Sequence, residues 1–247
     1  MNNFIDNITK IDCLEGLKQL SNQSIDIIIT SPPYNIGNVH HTGRKKHYPY
    51  QDDMDEQNYQ NWQIQVLNEC YRVLKDDGSM FYNHKNRIKN GRQISPYEWI
   101  FKTPFITKQE IVWINGTSNF INIRFYPFTE RVYWLTKNNK TKLINTIRHT
   151  EVFNINEWQP VGTKGVHTRA FPERMVEDIL ECFPNAQIVL DPFAGSGTTL
   201  YVAKTKDKHF IGFENNEKYV QLAKERIKQA GKQQKLFKQK FFEQNLF

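Results

Sequence analysis

Two short apolar runs, each stopping abruptly, constrain this chain more than any other feature. The first is Ile25-Asp26-Ile27-Ile28-Ile29, which ends in Thr30-Ser31-Pro32-Pro33-Tyr34-Asn35. A β-branched run bounded by turn residues predicts a buried strand. Pro-Pro cannot continue a strand ladder and fixes φ at two successive positions. Ser31 and Tyr34 are therefore expected to be held stiffly just past a strand's carboxyl end. In open α/β sheets, ligands bind there. The second run, Ile188-Val189-Leu190, passes into Asp191-Pro192-Phe193-Ala194-Gly195-Ser196-Gly197-Thr198-Thr199, followed by a helix-like stretch from Leu200 to Lys206.

The residue types in these turns suggest a chemistry. A hydroxyl and a fixed backbone carbonyl place two acceptors close together, and an aromatic ring nearby offers a stacking surface. Ser31, a carbonyl of the Ser31-Pro32 segment and Tyr34 thus suit a planar heterocycle carrying an exocyclic amine. Taken alone, these residues fit an ordinary Pro-rich turn equally well. In the second turn, Gly195 and Gly197 permit positive φ and close backbone approach by a ligand. The helix that follows would present free N–H groups to an anionic group such as a carboxylate. Phe210-Ile211-Gly212-Phe213-Glu214 reads as a further strand ending in an acid, and Glu214 lies nineteen residues past Gly195. An acid there can take both hydroxyls of a ribose. The alternative is a plain strand–turn–helix with an exposed Glu214.

These strings resemble the motifs of amino-group DNA methyltransferases. Asp191 to Thr199 is similar to their S-adenosylmethionine motif. Thr30-Ser31-Pro32-Pro33-Tyr34 resembles their catalytic motif, (D/N/S)-P-P-(Y/F). The catalytic motif comes first, as in the permuted β group. The resemblance runs from about Asp12 to Ile227. Glu69 to Lys75, followed by Asp77 to Phe81, matches the family's helix–turn–strand after the catalytic motif. His167-Thr168-Arg169-Ala170-Phe171-Pro172-Glu173 resembles its cofactor-closing motif, with Thr168 and Arg169 departing from the usual Pro-Ala.

The resemblance implies an α/β fold of the Rossmann-like S-adenosylmethionine-dependent methyltransferase type, a mixed seven-stranded sheet flanked by helices. It implies Ser31, Pro32, Pro33 and Tyr34 as the catalytic set. The implied cofactor set is Asp12, Cys13, His167, Phe171, Pro172, Asp191, Phe193, Gly195, Ser196, Gly197, Thr198 and Glu214. The implied reaction is methyl transfer from S-adenosyl-L-methionine to the exocyclic amine of a flipped base in duplex DNA. Ser31 in place of Asp leans toward N4 of cytosine, with N6 of adenine the alternative. A cognate restriction endonuclease is an implied partner.

The chain has 247 residues, and its 33 Lys and Arg against 26 Asp and Glu give +7. That suits one α/β domain, residues 1–247, and a polyanionic partner such as double-stranded DNA. A target-recognition insert is expected around residues 85–160. Two segments are expected to touch DNA. One is Asn38 to Tyr50, with Arg44, Lys45 and Lys46; the other is Lys85 to Arg92, with Lys85 and Arg87. Either could instead be a solvated basic loop.

Cys13, Cys70 and Cys182 form no CxxC and are odd in number, which argues against disulfides and structural zinc and fits a reducing cytoplasm. Neither a signal peptide nor a membrane span is expected. No metal is expected, because the histidines of the first basic segment lack paired spacing with a third ligand.

Trp62, Val66, Leu67, Cys70 and Leu74 are spaced for a helix near Asn58–Leu74. The aromatics Trp99, Phe101, Trp113, Phe120, Phe125, Tyr126 and Phe128 are expected in the core. Lys232 to Phe247 has amphipathic helical spacing, which packs on its own domain or forms a homodimer contact. Two other classes compete with the enzyme reading. A catalytically silent DNA-binding module would not need both motifs intact. A nicotinamide dehydrogenase would need a third glycine, where Leu200 stands.

Overall fold

The computed structural model describes residues 3–37, 52–115, 125, 127–145, 150–154 and 172–244. In chain order the first elements are β1 (Asn7–Lys10), α1 (Cys13–Lys18), β2 (Ile25–Thr30), α2 (Glu56–Val73) and β3 (Leu74–His84). Next come β4 (Arg87–Lys89), β5 (Arg92–Ile94), α3 (Tyr97–Ile100), β6 (Ile106–Ile114), β7 (Thr129–Thr136) and β8 (Val152–Asn154). The last are α4 (Glu173–Cys182), β9 (Ile188–Asp191), α5 (Thr198–Thr205), β10 (His209–Glu214) and α6 (Glu217–Gln244).

The main sheet runs β1-β10-β9-β2-β3-β7-β6-β8. From β1 through β3 all neighbours are parallel, β7 is antiparallel to both β3 and β6, and β8 returns parallel to β6. The sheet is mixed, as expected, but has eight strands rather than seven. The short β8 adds the outermost one.

Both faces of the central strands are covered, which is why they read as unbroken apolar runs. Successive side chains alternate between faces. Ile27, Ile29, Phe81, Val132 and Trp134 pack with Val176, Ile179 and Leu180 of α4 and Val202 and Ala203 of α5. Ile28, Met80, Tyr82, Tyr133 and Leu135 pack with Leu17 of α1, Val66, Leu67 and Cys70 of α2, and Trp99 of α3. Truncating any such fully buried Leu or Ile to Ala is expected to cost about 2–5 kcal/mol. Local signals set the ends of the helices. Asp55 caps α2 by accepting from the N–H groups of Gln57 and Asn58 at 3.0 and 3.2 Å.

Within the interval 85–160, the described residues include β6, β7 and β8 of the main sheet. Lys85 to Arg92 is not an open loop. Asn90 and Gly91, at φ 51 and 75, turn the chain between the paired β4 and β5. Two successive positive-φ residues make the tight turn that suits a twisted hairpin.

Trp99 and Trp113 lie in the core, but Phe101, Phe125 and Phe128 are exposed. Phe120 and Tyr126 lie outside the described residues. α6 continues to residue 244, and the side chains that would decide the amphipathic expectation for Lys232 to Phe247 lie outside the described ones. All three cysteines are buried and free. No helix among the described residues is long and apolar enough to cross a membrane. No group of three or more His, Cys, Asp or Glu among them could hold a metal ion.

Candidate active site

β2 and β9 are adjacent parallel strands, with Ile28 beside Leu190. Their carboxyl ends therefore deliver the two motif turns to the same edge. Thr30, the last residue of β2, donates from Oγ1 to Asp191 Oδ1, the last residue of β9, at 2.7 Å. Phe193 N–H donates to the same oxygen at 3.1 Å. Burial pushes the Asp191 carboxyl up to about 6, although Thr30, Phe193 N–H and Thr199 pull it down.

In the first turn, Ser31 Oγ and Tyr34 Oη lie 2.8 Å apart. Tyr34 donates to Glu130 Oε2 at 2.9 Å, and Asn83 Nδ2 donates to Tyr34 Oη at 2.5 Å. Asn83 Nδ2 also reaches Glu130 Oε2 at 3.1 Å, and Asn115 Nδ2 holds Glu130 Oε1 at 3.1 Å. Topology explains this convergence. Asn83 is the next-to-last residue of β3, beside β2, and Glu130 is the second residue of β7 on the other side of β3, where Val132 faces Asn83.

A second chain of bonds lies beneath. Tyr59 of α2 donates to Pro33 O at 2.7 Å and sits 2.7 Å from His84 Nε2. Its single hydrogen is committed to Pro33, so His84 must donate from Nε2. Burial holds the His84 ring well below its usual range, hence neutral. Its Nδ1 lies 2.8 Å from both the backbone nitrogen and the carbonyl oxygen of Lys85, and in this tautomer it accepts from the N–H. Beyond the turn, Asn35 sits at φ 55, a conformation Asn tolerates. Its N–H donates to Asp52 Oδ1 at 2.6 Å, and Gly37 N–H donates to Asp52 O at 2.6 Å. Asp52 is thereby tied to Asn35 and Gly37 beside the Pro-Pro turn; Arg44, Lys45 and Lys46 belong to the intervening stretch. Those three residues lie outside the described ones.

In the second turn, Gly195 and Gly197 adopt φ 50 and 77, as a glycine-requiring turn should. A Cβ on Gly197 would also meet Ala223 Cβ at 2.7 Å. Glu214 Oε2 accepts from Gly195 N–H at 2.9 Å, and Oε1 accepts from Asn216 N–H at 2.8 Å. Burial raises the Glu214 carboxyl and these N–H donors lower it, with a net rise. The Asn215 N–H bonds to the same carboxylate, which still leaves it acceptor capacity for a further donor.

Asp12 stands next in line, because Ile11 N–H donates to Glu214 O at 3.1 Å. Its Oδ1 caps α1 through Leu14 and Glu15 N–H at 2.9 and 3.3 Å. Cys13 faces inward, and burial and the Asp12 charge push its thiol far up. Phe193 packs edge-on against Trp62 at 5.6 Å. Pro172 stands at the N-cap position of α4 without a side-chain capping bond; His167 and Phe171 lie outside the described residues.

Ser196 and Thr198 are held from behind. Arg226, 2% exposed, donates from Nη1 to Ser196 O at 2.7 Å and to the Ser196 and Thr198 hydroxyls at 3.3 Å. Its Nη2 donates to Glu173 Oε1 at 2.8 Å. A lone Arg in a polar helical stretch gives no sequence signal of this role. Asn83 and His84 did leave one, as two polar residues ending an apolar strand.

The two other residues expected at DNA sit differently. Arg87 is buried, donates to both oxygens of Glu56 at 2.8 Å, and lies 4.9 Å from the Tyr59 ring centre. Burial raises the Glu56 carboxyl, but Arg87 outweighs it and the net displacement is downward. Arg87 therefore anchors the hairpin instead of facing solvent. Lys85 Nζ lies 5.7 Å from the Tyr34 ring centre, at the site edge.

Among solved structures, the chain is similar to PvuII DNA methyltransferase (cytosine-N4-specific), with a TM-score of 0.72 and 22% identity over 89% of this chain and 85% of that one. It also matches the M1.HpyAVI–SAM complex, with a TM-score of 0.62 and 21% identity over 90% and 98% of the two chains. Both likenesses show the fold. Curated relatives include the type II methyltransferase M.HinfI of Haemophilus influenzae, 28% identical over 93% of this chain and 70% of that protein. Another is M.BglII of Bacillus subtilis, 27% identical over 86% of this chain and 66% of that protein. The DNA methylase model of N6 and N4 methyltransferases matches residues 25–225, and on the strength of that match the chain belongs to the N6/N4 DNA methylase family.

Proposed function

We propose that this chain methylates the exocyclic amine of a base flipped out of duplex DNA, N4 of cytosine in preference to N6 of adenine. The observation that carries the reading is the Thr30–Asp191 bond. It fixes the amine-accepting turn beside the glycine turn, as transfer between two bound molecules requires. The residues fit S-adenosyl-L-methionine. Asp12 and Glu214 offer acceptors for amine and hydroxyl groups at neighbouring strand ends, and Gly195 to Thr198 give a close-approach turn. When bound, that cofactor supplies an electrophilic sulfonium methyl group.

Everything else falls to the chain's own residues. Extruding the base costs on the order of a few kcal/mol of unstacking. The Tyr34 ring stacks on the base. Ser31 Oγ and the Pro32 carbonyl accept the amine hydrogens, because the Pro33 carbonyl is taken by Tyr59. Holding those hydrogens turns the nitrogen lone pair out of the ring plane, toward the methyl group. This is orientation and electrostatic preorganisation. No cysteine takes part, since burial keeps the Cys13 and Cys70 thiols protonated. The Ser31 hydroxyl in place of a carboxylate favours cytosine, and the PvuII DNA methyltransferase, similar in fold, is cytosine-N4-specific. Lys85, with Arg44, Lys45 and Lys46, supplies phosphate contacts. A homodimer and a cognate restriction endonuclease complete the proposed setting.

The test is incubation with radiolabelled S-adenosyl-L-methionine and duplex DNA, followed by digestion to nucleosides. Labelled N4-methylcytosine is expected. N6-methyladenine would move the reading to the other amine, and absence of label would support a silent binding module.

A further inference from the structure

We infer that Glu130, acting through Tyr34, makes Ser31 a one-way acceptor and so selects bases that carry an amine over bases that carry a carbonyl. This rests on the reading of Ser31 as the residue that meets the target base.

The inference follows from counting hydrogens. A carboxylate can only accept. The Tyr34 hydroxyl, 2.9 Å from Glu130 Oε2, must therefore give its one hydrogen to Glu130. Asn83 Nδ2 donates to the same Tyr34 oxygen. At the 2.8 Å contact between Ser31 Oγ and Tyr34 Oη, only Ser31 then has a hydrogen to give. Its single hydrogen is spent inward, and what it presents outward is lone pair. Asn83 Nδ2 reaches Ser31 Oγ only at 3.4 Å, a weak competitor.

A group meeting Ser31 must therefore bring a hydrogen. The exocyclic amines of cytosine and adenine do so; the ring carbonyls of uracil, thymine and hypoxanthine oppose oxygen to oxygen. Glu130 itself is held in place by Asn83 and Asn115, one on each carboxylate oxygen. Without Glu130 the Tyr34 hydroxyl is free to donate to Ser31, and Ser31 can then turn its own hydrogen outward. Glu130 is thus a positioning residue, two hydrogen bonds from Ser31 and three from the base.

The experiment measures duplex binding in the presence of S-adenosylhomocysteine, together with single-turnover transfer. The duplex carries the site found by labelling, with the target base or its oxo analogue, uracil for cytosine or hypoxanthine for adenine. Wild type is expected to bind the amine base at least about tenfold more tightly, as a site built around an N–H group should. In Tyr34→Phe and Glu130→Ala that preference falls toward one, and single-turnover transfer slows on the order of 10²-fold with cofactor affinity unchanged. The double variant is no worse than Tyr34→Phe, since Glu130 acts through that hydroxyl. Glu130→Gln, whose carbonyl still accepts, retains the preference and controls for folding. A preference unchanged in both single variants but abolished in Ser31→Ala would overturn the role of Glu130 and leave Ser31 in place. Additive losses in the double variant would overturn it as well. Full methyl transfer by Ser31→Ala would instead overturn the reading of the site.

Discussion

Thr30 and Asp191, 161 residues apart in the chain, share a 2.7 Å hydrogen bond between the ends of two adjacent strands. Neither residue faces solvent. The bond joins the starts of the two turns to which the proposed function assigns base and cofactor. It also places a carboxyl group in a fully buried position, which makes the fold sensitive to pH.

That sensitivity has a definite sign. Burial raises the folded-state value of Asp191 from 3.8 to about 6, so the folded state binds the proton more tightly than the unfolded state. Stability from this group is complete at low pH and is lost as pH rises through that range. Its ionisation from 3.8 to about 6 corresponds to ~3 kcal/mol. Asp191→Asn keeps the acceptor for Thr30 and Phe193 and removes the ionisation. Urea unfolding should show the variant gaining on wild type by a few kcal/mol between about pH 4 and pH 7. Equal differences at both pH values would show that Asp191 titrates normally.

Arg226 clamps the glycine turn, and Glu173 neutralises it from the start of α4. Removing one member of a buried pair costs about 3–5 kcal/mol, because the other charge is stranded. Arg226→Met should lower the melting temperature clearly and weaken S-adenosyl-L-methionine binding, since the Ser196 carbonyl loses its donor. Arg226→Met with Glu173→Gln should recover part of the stability but not the binding. Calorimetry reads both effects, and full recovery of affinity would refute the clamp.

The strand–turn framework was legible because strand ends, prolines and glycines act locally. Ile25 to Thr30 and Ile188 to Asp191 are strands as their composition predicts, and Gly195 and Gly197 take the positive φ expected of them. Glu130 and Arg226 were not legible, and Asn83 was legible only as a polar residue near the end of an apolar strand. Their roles depend on pairings across β3 and β7 and on the packing of α6 against α5, which no local pattern encodes. Arg87 shows the same gap in reverse. A basic residue beside a glycine reads as a phosphate contact until the fold turns it onto Glu56, 31 positions earlier.

Arg87 and Lys85 should therefore separate cleanly. Arg87→Gln should lower stability by about 3 kcal/mol, because Glu56 loses its partner and the ring contacts with Tyr59 go. It should leave the salt dependence of DNA binding unchanged. Lys85→Ala should do the opposite, holding stability and reducing the slope of log K against log salt by about 0.9, the mark of one phosphate contact. Fluorescence anisotropy across a salt series gives the slopes. A reduced slope for Arg87→Gln would mean that its guanidinium leaves Glu56 for DNA.

Tyr59 supports the Pro-Pro turn through its bond to the Pro33 carbonyl. Tyr59→Phe keeps the ring but strands the Pro33 carbonyl, the His84 Nε2–H and the Gln63 amide, all of which meet that hydroxyl within 3.1 Å. Unsatisfied buried groups cost about 1–3 kcal/mol. The variant should lose stability of that order. If the Pro33 carbonyl then rotates to find another donor, the Pro32 peptide turns with it and the amine loses its second acceptor. Transfer should slow while duplex affinity and cofactor affinity hold, which single-turnover rates and titration calorimetry separate. A variant that loses stability but transfers at the wild-type rate would show that the Pro-Pro turn holds its shape without Tyr59.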